Sequence, residues 1–123
     1  MEAVLHIQTI GQIAVCVEDL DRATKFYRDV LGLPLLFSVP PRLAFFQVGE
    51  VRLMLTLPEG EEQGASTLYF RVQSLDAAVE SVRAHSEIVS EPHLITKMTD
   101  HELWMAFFND TEGNTMAFME ERR

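Results

Sequence analysis

Two stretches of the chain share one pattern of hydrophobic and polar positions. GQIAVCVEDLDRA, which begins at Gly11, and STLYFRVQSLDAA, which begins at Ser66, both read as a strand followed by V-x-(D/S)-L-D-x-A. A second pair follows in the same order, with AFFQVGEVRLML beginning at Ala44 and AFFNDTEGNTMAF beginning at Ala106. Because matches in the same order indicate repeated structural units, the sequence predicts two copies of one unit.

The first unit is predicted to be β-α-β-β-β. Apolar residues alternate over 10–17, which indicates a strand, and Asp19 is placed to cap the helix that follows. That helix carries an apolar stripe at helical spacing and is expected to end at Gly32, with Pro34 preventing its continuation. Three strands are predicted after it, near 34–39, 43–48 and 51–57.

The second unit repeats this order. Residues 67–73 are predicted as a strand and Ser74 as a helix cap, and the segment SEPHLITKMTDHELW is expected to run along the rim of a cleft. Further strands are predicted near 87–90, 103–109 and 114–120. Because neither unit has enough apolar surface to be stable alone, we expect one domain, 1–123, with module one at about 9–58 and module two at about 65–121.

Alternate residues of each strand should point away from the helix, toward a concave face. A concave, half-apolar surface with a few convergent polar groups is typical of a small-molecule site. The alternative is that these side chains are only the exposed face of half-solvated strands. The polar residues assigned to this face are Gln12, Cys16, Arg52, Thr56, Tyr69, Arg71 and Thr115.

Composition and charge narrow the choice of partners. A 123-residue chain with 47% hydrophobic and 24% charged residues is typical of a soluble globular domain, and no apolar run approaches the roughly 20 residues that span a bilayer. The net charge of −9 disfavours nucleic acid and anionic membranes; it favours a cationic ligand, or it serves only solubility. Because the N-terminus lacks signal-peptide features and Cys16 is the single cysteine, we expect a cytoplasmic protein.

Two motifs resemble one known family. IGQIAVCVEDLDRATKFYRDVLGL and NDTEGNTMAFME resemble the opening strand-helix unit and the D-P-D-G-N hairpin of the vicinal oxygen chelate superfamily, with Thr111 and Glu112 in place of the usual proline and aspartate. This superfamily includes glyoxalases, extradiol dioxygenases and bleomycin resistance proteins. The resemblance implies an α+β fold in which two βαβββ modules pair into an incomplete barrel around a concave cleft. It also implies a homodimer.

The resemblance further implies four positions that hold a divalent metal in relatives, and here these are Gln12, Met54, Thr67 and Ala117. Gln12 can coordinate through its amide oxygen, whereas the thioether of Met54 is too soft for hard divalent ions. Thr67 is at best a weak ligand and Ala117 is none. Because a catalytic site needs about three good donors, we expect no cofactor and no standard metal site.

The histidines offer a different chemistry. His93 and His101 lie in the predicted rim segment, where they could form a non-standard metal site, an acid–base group, or only a rim hydrogen bond. His101 is the candidate catalytic residue, because Trp104 nearby starts a strand that could enter the pocket. His6 and His85 are expected at the surface.

Three functions are compatible with these residues. Arg52 and Arg71 favour the binding of an anionic small molecule without the family's metal. The second is a glyoxalase-like lyase or isomerase that uses displaced ligands or metal-free acid–base catalysis, and the third is a structural partner without a ligand. The predicted ligand-binding residues are Gln12, Arg52, Met54, Thr67, Tyr69, Arg71, His101, Trp104, Thr115 and Ala117.

Overall fold

The predicted repeat of two β-α-β-β-β units is present in the computed structural model, which describes residues 9–58 and 67–123. The first unit consists of β1 (Gln12–Cys16), α1 (Leu20–Lys25) with a π-helical continuation (Phe26–Val30), β2 (Leu35–Val39), β3 (Leu43–Val48) and β4 (Val51–Thr56). The second consists of β5 (Leu68–Arg71), α2 (Leu75–Arg83), β6 (Ile88–Lys97), β7 (Glu102–Asn109) and β8 (Thr115–Arg122).

Both helices begin at the predicted caps. The Asp19 carboxylate accepts a hydrogen bond from the backbone N–H of Arg22 (3.0 Å), and the Ser74 hydroxyl accepts one from the N–H of Ala77 (3.2 Å). Each cap satisfies an N–H group that has no partner within the helix. The first helix ends at Gly32, whose φ of 72° is the left-handed conformation that glycine adopts at low cost.

The two sheets have the same strand order. It is β1-β4-β3-β2 in module one and β5-β8-β7-β6 in module two, with the first pair of each sheet parallel and the other pairs antiparallel. Across the described residues the two sheets stay separate and do not close into a barrel, which confirms the predicted incomplete barrel.

One hydrophobic core serves both modules. The helices cover one face of each sheet, and side chains from the two units form a single buried cluster, which explains why neither unit would be stable alone. Its large members include Phe26, Tyr27, Phe46, Leu53 and Leu55 from module one and Leu75, Val79, Val82, Phe108 and Met116 from module two.

The hairpin turn of module two joins the modules. The buried Asp110 accepts a hydrogen bond from the Tyr27 hydroxyl (2.7 Å), and the Asn114 amide donates to the backbone oxygen of Cys16 (3.0 Å). Burial and the nearby Asp110 charge raise the pKa of Tyr27 well above its usual value of 10.0, so this phenol stays a hydrogen-bond donor. The turn therefore holds the end of β1 and the π-helical continuation of α1 against module two.

One expectation needs correction, and two concern residues outside the described ranges. SEPHLITK is not a rim loop, because β6 extends to Lys97 and only a short turn separates it from β7. Three register shifts along β6 disrupt the alternation that would have revealed the strand. His6 and the predicted start of module two at 65 lie outside the described residues, and none of the described helices is long and apolar enough to cross a membrane.

Candidate functional site

Each sheet has one face covered by its helix and one that is not, and we call the second the open face. In module one the register aligns Ala14, Met54, Phe45 and Phe37 across all four strands of the sheet. Because alternate residues share a face, Arg52 lies on the same open face one row away. The structure therefore places the predicted residues of β1 and β4 side by side.

The guanidinium of Arg52 is held in place by two neighbours. Its Nε donates to the Gln12 side-chain oxygen (2.8 Å), and its central carbon lies 5.3 Å from the centre of the Phe45 ring. An arginine can only donate, so the Gln12 atom that faces it is the oxygen, and the amide nitrogen turns to the Met54 sulfur at 3.8 Å.

An aromatic surface lies beside this arginine. The rings of Phe37 and Phe45 stack with centroids 4.5 Å apart and planes 27° apart, and 47% of Phe37 is exposed. Ala14, at the other end of the same row, is also exposed and has the shortest side chain in it. On the open face of module one, the two stacked rings are thus followed in the same row by the smaller side chains of Met54 and Ala14. We call these two residues the floor.

The open face of module two is also aromatic. Tyr69, Ala117 and Phe107 are in register on β5, β8 and β7, and the two rings are 6.1 Å apart, edge to face. The His93 ring stacks on Phe107 at 6.3 Å. Ala117 is fully buried although it lies on this face, because the flanking side chains cover its methyl group. Thr115 is exposed and donates to the Asn109 side chain (3.2 Å).

The side chains at the four positions that the resemblance assigns to a metal do not fit one. The Gln12 oxygen already accepts from a guanidinium, whose positive charge repels a divalent cation. Met54 and Ala117 supply no hard donor, and Thr67 lines a crevice of about 330 Å³ between the modules with Ile13 and Leu53. No group of three or more His, Cys, Asp or Glu that could hold a metal occurs in 9–58 or 67–123.

His101 lies in a charged cluster at the far end of module two. Its Nδ1 is 2.7 Å from an Asp100 oxygen and its Nε2 is 4.0 Å from a Glu121 oxygen, and only 15% of the side chain is exposed. Arg71 joins the same cluster through Glu121 at 3.5 Å. Glu121 lies within β8 rather than at a frayed end. A carboxylate thus lies near each ring nitrogen of His101, and only the Asp100 contact is short enough for a hydrogen bond.

Trp104 is not on the open face, so the prediction that it enters the pocket is wrong. Its ring packs against the core, the Arg122 guanidinium lies 4.3 Å from its centre, and its N–H donates to Glu102 (3.0 Å). It shares this face with Ala106 and Phe108, two and four residues along β7, which belong to the core. The strand alternation alone would have given this orientation.

His93 is the residue whose position the sequence did not reveal. It pairs with Met105 across β6 and β7 and so reaches the open face, and its Nδ1 lies 2.8 Å from the backbone oxygen of Glu91. Because a carbonyl can only accept, this contact favours a proton on Nδ1 and leaves Nε2 as an acceptor. The aromatic residue Phe107 could be recognised in the sequence, but the bulges of β6 concealed the pairing that brings His93 next to it.

The strand order, repeated in two paired modules, defines this protein as one of the paired βαβββ class. The model of the Glyoxalase/Bleomycin resistance protein/Dioxygenase superfamily matches residues 9–118, and the chain belongs to this family. The chain is 25% identical over 126 residues to the uncharacterized protein YetH of Bacillus subtilis (strain 168), covering 93% of this chain and 99% of that one.

Solved structures share the fold. A lactoylglutathione lyase from Agrobacterium tumefaciens is 23% identical with a TM-score of 0.74, covering 93% of this chain and 94% of that one. TnmS3, an antibiotic binding protein from Streptomyces sp. CB03234, is 20% identical with a TM-score of 0.76, covering 95% and 98%. At these identities the likeness establishes architecture and leaves the ligand to be argued from the site.

Proposed function

We propose that this protein binds a small organic anion on its open faces, without the family's divalent metal, and that Arg52 holds the acid group. The observation that supports this most directly is the immobilised guanidinium. Its Nε is engaged by a neutral amide, so its positive charge is not neutralised there, and its terminal nitrogens form the planar donor edge that binds oxyanions.

The contrast with other arginines strengthens the proposal. In a chain with a net charge of −9, a cation would be expected to attract a carboxylate. Within the part of the chain that the structure describes, Arg52 takes part in no ion pair, although it is exposed. The arginines that do pair with carboxylates are Arg22, Arg28, Arg71, Arg83, Arg122 and Arg123.

The test is binding of acids against their uncharged counterparts. We expect aliphatic and aromatic carboxylates to bind more tightly than the matching amides in calorimetric titrations, and Arg52→Gln to weaken the carboxylates by at least about tenfold, because a charge-assisted hydrogen bond contributes about 1.5–3 kcal/mol. Arg28→Gln is the control, since Arg28 pairs with Asp29 on the helix. Equal binding of acids and amides would refute the proposal.

We also propose that a second copy covers the open faces, with module one of one chain opposite module two of the other. About half of the surface of Phe37 and Val39 in module one and of Tyr69 in module two is exposed, and exposed apolar side chains of this size favour coverage by a partner. Light scattering is expected to give twice the 14.0 kDa chain mass, and Val39→Glu to shift the protein toward the monomer. A wild-type protein that stays monomeric at tens of micromolar contradicts this pairing.

The second candidate function is a metal-free lyase or isomerase, and His93 is the observation that favours it. Its Nε2 is placed to accept a proton on the open face. If a bound carboxylate carries an acidic C–H, its exchange for deuterium in D₂O should be detectable by NMR. His93→Gln should slow that exchange by about 10²–10⁴-fold. If the carboxylate binds but its C–H does not exchange, the lyase or isomerase function is rejected and binding alone remains.

A further inference from the structure

We infer that the bound anion is a flat aromatic carboxylate, with its ring beside the stacked Phe37 and Phe45 and its carboxylate on Arg52. This inference rests on the proposed function and specifies its ligand. Phe45, Met54 and the fixed Arg52 guanidinium are neighbours on the same sheet face, so one molecule can contact all three.

The shape of the face favours a flat ligand. Phe45 is nearly buried between Phe37 on one side and the Arg52 guanidinium on the other, so these three planar groups form a wall. The floor beside it consists of Met54 and Ala14, the next two members of the same register row. A flat ring can lie on this floor over the Met54 sulfur, where sulfur–aromatic contacts are favourable, with Phe45 beside it.

The spacing of the strands sets the size of the ring system. Neighbouring strands lie about 4.8 Å apart, so the two strand spacings from Phe45 to Ala14 make a floor about 10 Å wide. Arg52 is two residues from Met54 along β4, roughly 7 Å. A carboxylate attached directly to one or two fused rings can therefore reach the guanidinium while the rings cover the floor.

The charge arrangement selects the acid group. Nε of Arg52 is used by Gln12, which leaves the edge formed by the two terminal nitrogens to bind one oxyanion in a bidentate manner. A cationic ligand is repelled by the same group. A doubly charged phosphate monoester meets only one described cation there, in a protein of net charge −9, so a singly charged carboxylate is favoured.

Calorimetric titration with 2-naphthoate tests the inference, with decanoate, 2-naphthyl phosphate and 2-naphthylmethylamine as comparisons. We expect 2-naphthoate to bind at least tenfold more tightly than each of the other three. Met54→Leu should weaken 2-naphthoate by about fivefold and leave decanoate within twofold, because only the sulfur–aromatic contact is lost. Arg52→Gln should weaken both carboxylates by at least tenfold, and Arg28→Gln neither.

The outcomes separate the two proposals. If decanoate binds as tightly as 2-naphthoate and both still depend on Arg52, the aromatic ligand is wrong and the proposed function stands. Tighter binding of the phosphate overturns the preference for a carboxylate. If Arg52→Gln changes nothing, both fail. Light scattering on Met54→Leu completes the test, because lost binding that accompanies a lost dimer would overturn the direct ring contact.

Discussion

Replacing Glu112 by glutamine is expected to lower the free energy of unfolding by about 3 kcal/mol, because the carboxylate joins the two modules where water does not reach it. Its side chain is fully covered. One oxygen accepts from the backbone N–H groups of Glu18 and Asp19, both at 2.9 Å, and the other from Nε of Arg22 at 2.8 Å. Glutamine keeps one acceptor but brings an amide N–H₂ against these donors.

The same contacts predict how stability depends on pH. Burial raises the pKa of Glu112, but hydrogen bonds from Arg22, Asp19, Thr111 and Glu18 outweigh it and lower the pKa from 4.5 to about 2. A depressed pKa in the folded protein means that the carboxylate stabilises the fold above pH 4.5 and loses this effect as the pH falls through about 2. The difference between wild type and Glu112→Gln should therefore be full at pH 6 and shrink at pH 3.

Urea unfolding at these two pH values is the measurement. Glu80→Gln is the matched control, because Glu80 pairs with Arg83 at 3.1 Å on an exposed helix surface and should change stability by less than about 0.5 kcal/mol. A gap between wild type and Glu112→Gln that stays constant from pH 6 to pH 3 would show that the charge of Glu112 is not what holds the modules together.

Glu112 also illustrates what the sequence could and could not predict. The repeat predicted the order of the elements and their two modules, because alternation and helical spacing are local properties. The turn around Glu112 was recognisable as a family motif, but the partners of Glu112 lie at least 90 positions away along the chain. Nothing in the pattern of the turn shows that its acidic residue caps the helix of the other module.

The candidate site likewise contains residues whose positions followed from the sequence and residues whose positions did not. Gln12, Arg52 and Met54 lie on strands with regular alternation, so their common face followed from the sequence. The bulges of β6 place His93 on the open face, although no alternation of polar and apolar residues in the sequence indicates this. That Arg52 has no carboxylate partner among residues 9–58 and 67–123 was equally hidden, because it depends on which acidic residues the fold brings near.

Introducing the carboxylate that metal-dependent relatives are expected to carry, as Ala117→Glu, should lower the free energy of unfolding by about 3 kcal/mol or more. The position is fully buried, and the rings of Tyr69 and Phe107 flank it in register on the two neighbouring strands. A glutamate must either displace these rings or bury its charge between them without a donor. Thr115→Glu is the control: it lies two residues earlier on the same face, is exposed, and should cost less than about 1 kcal/mol.

Repeating the unfolding of Ala117→Glu with Mn²⁺ or Zn²⁺ shows whether the carboxylate is the one ligand that the chain lacks or whether the other ligands are lacking as well. A metal that bound the folded variant would restore stability, by about 2.7 kcal/mol at a hundred times its dissociation constant. We expect no restoration, because Gln12 would still accept from Arg52 and Met54 would still supply a thioether. Restored stability would mean that this one substitution is enough to create a metal site, and that the hydrogen bond between Arg52 and Gln12 can break. The absence of restoration would mean that a carboxylate at this position is not sufficient for a metal site, because Gln12 and Met54 still supply no free hard donor.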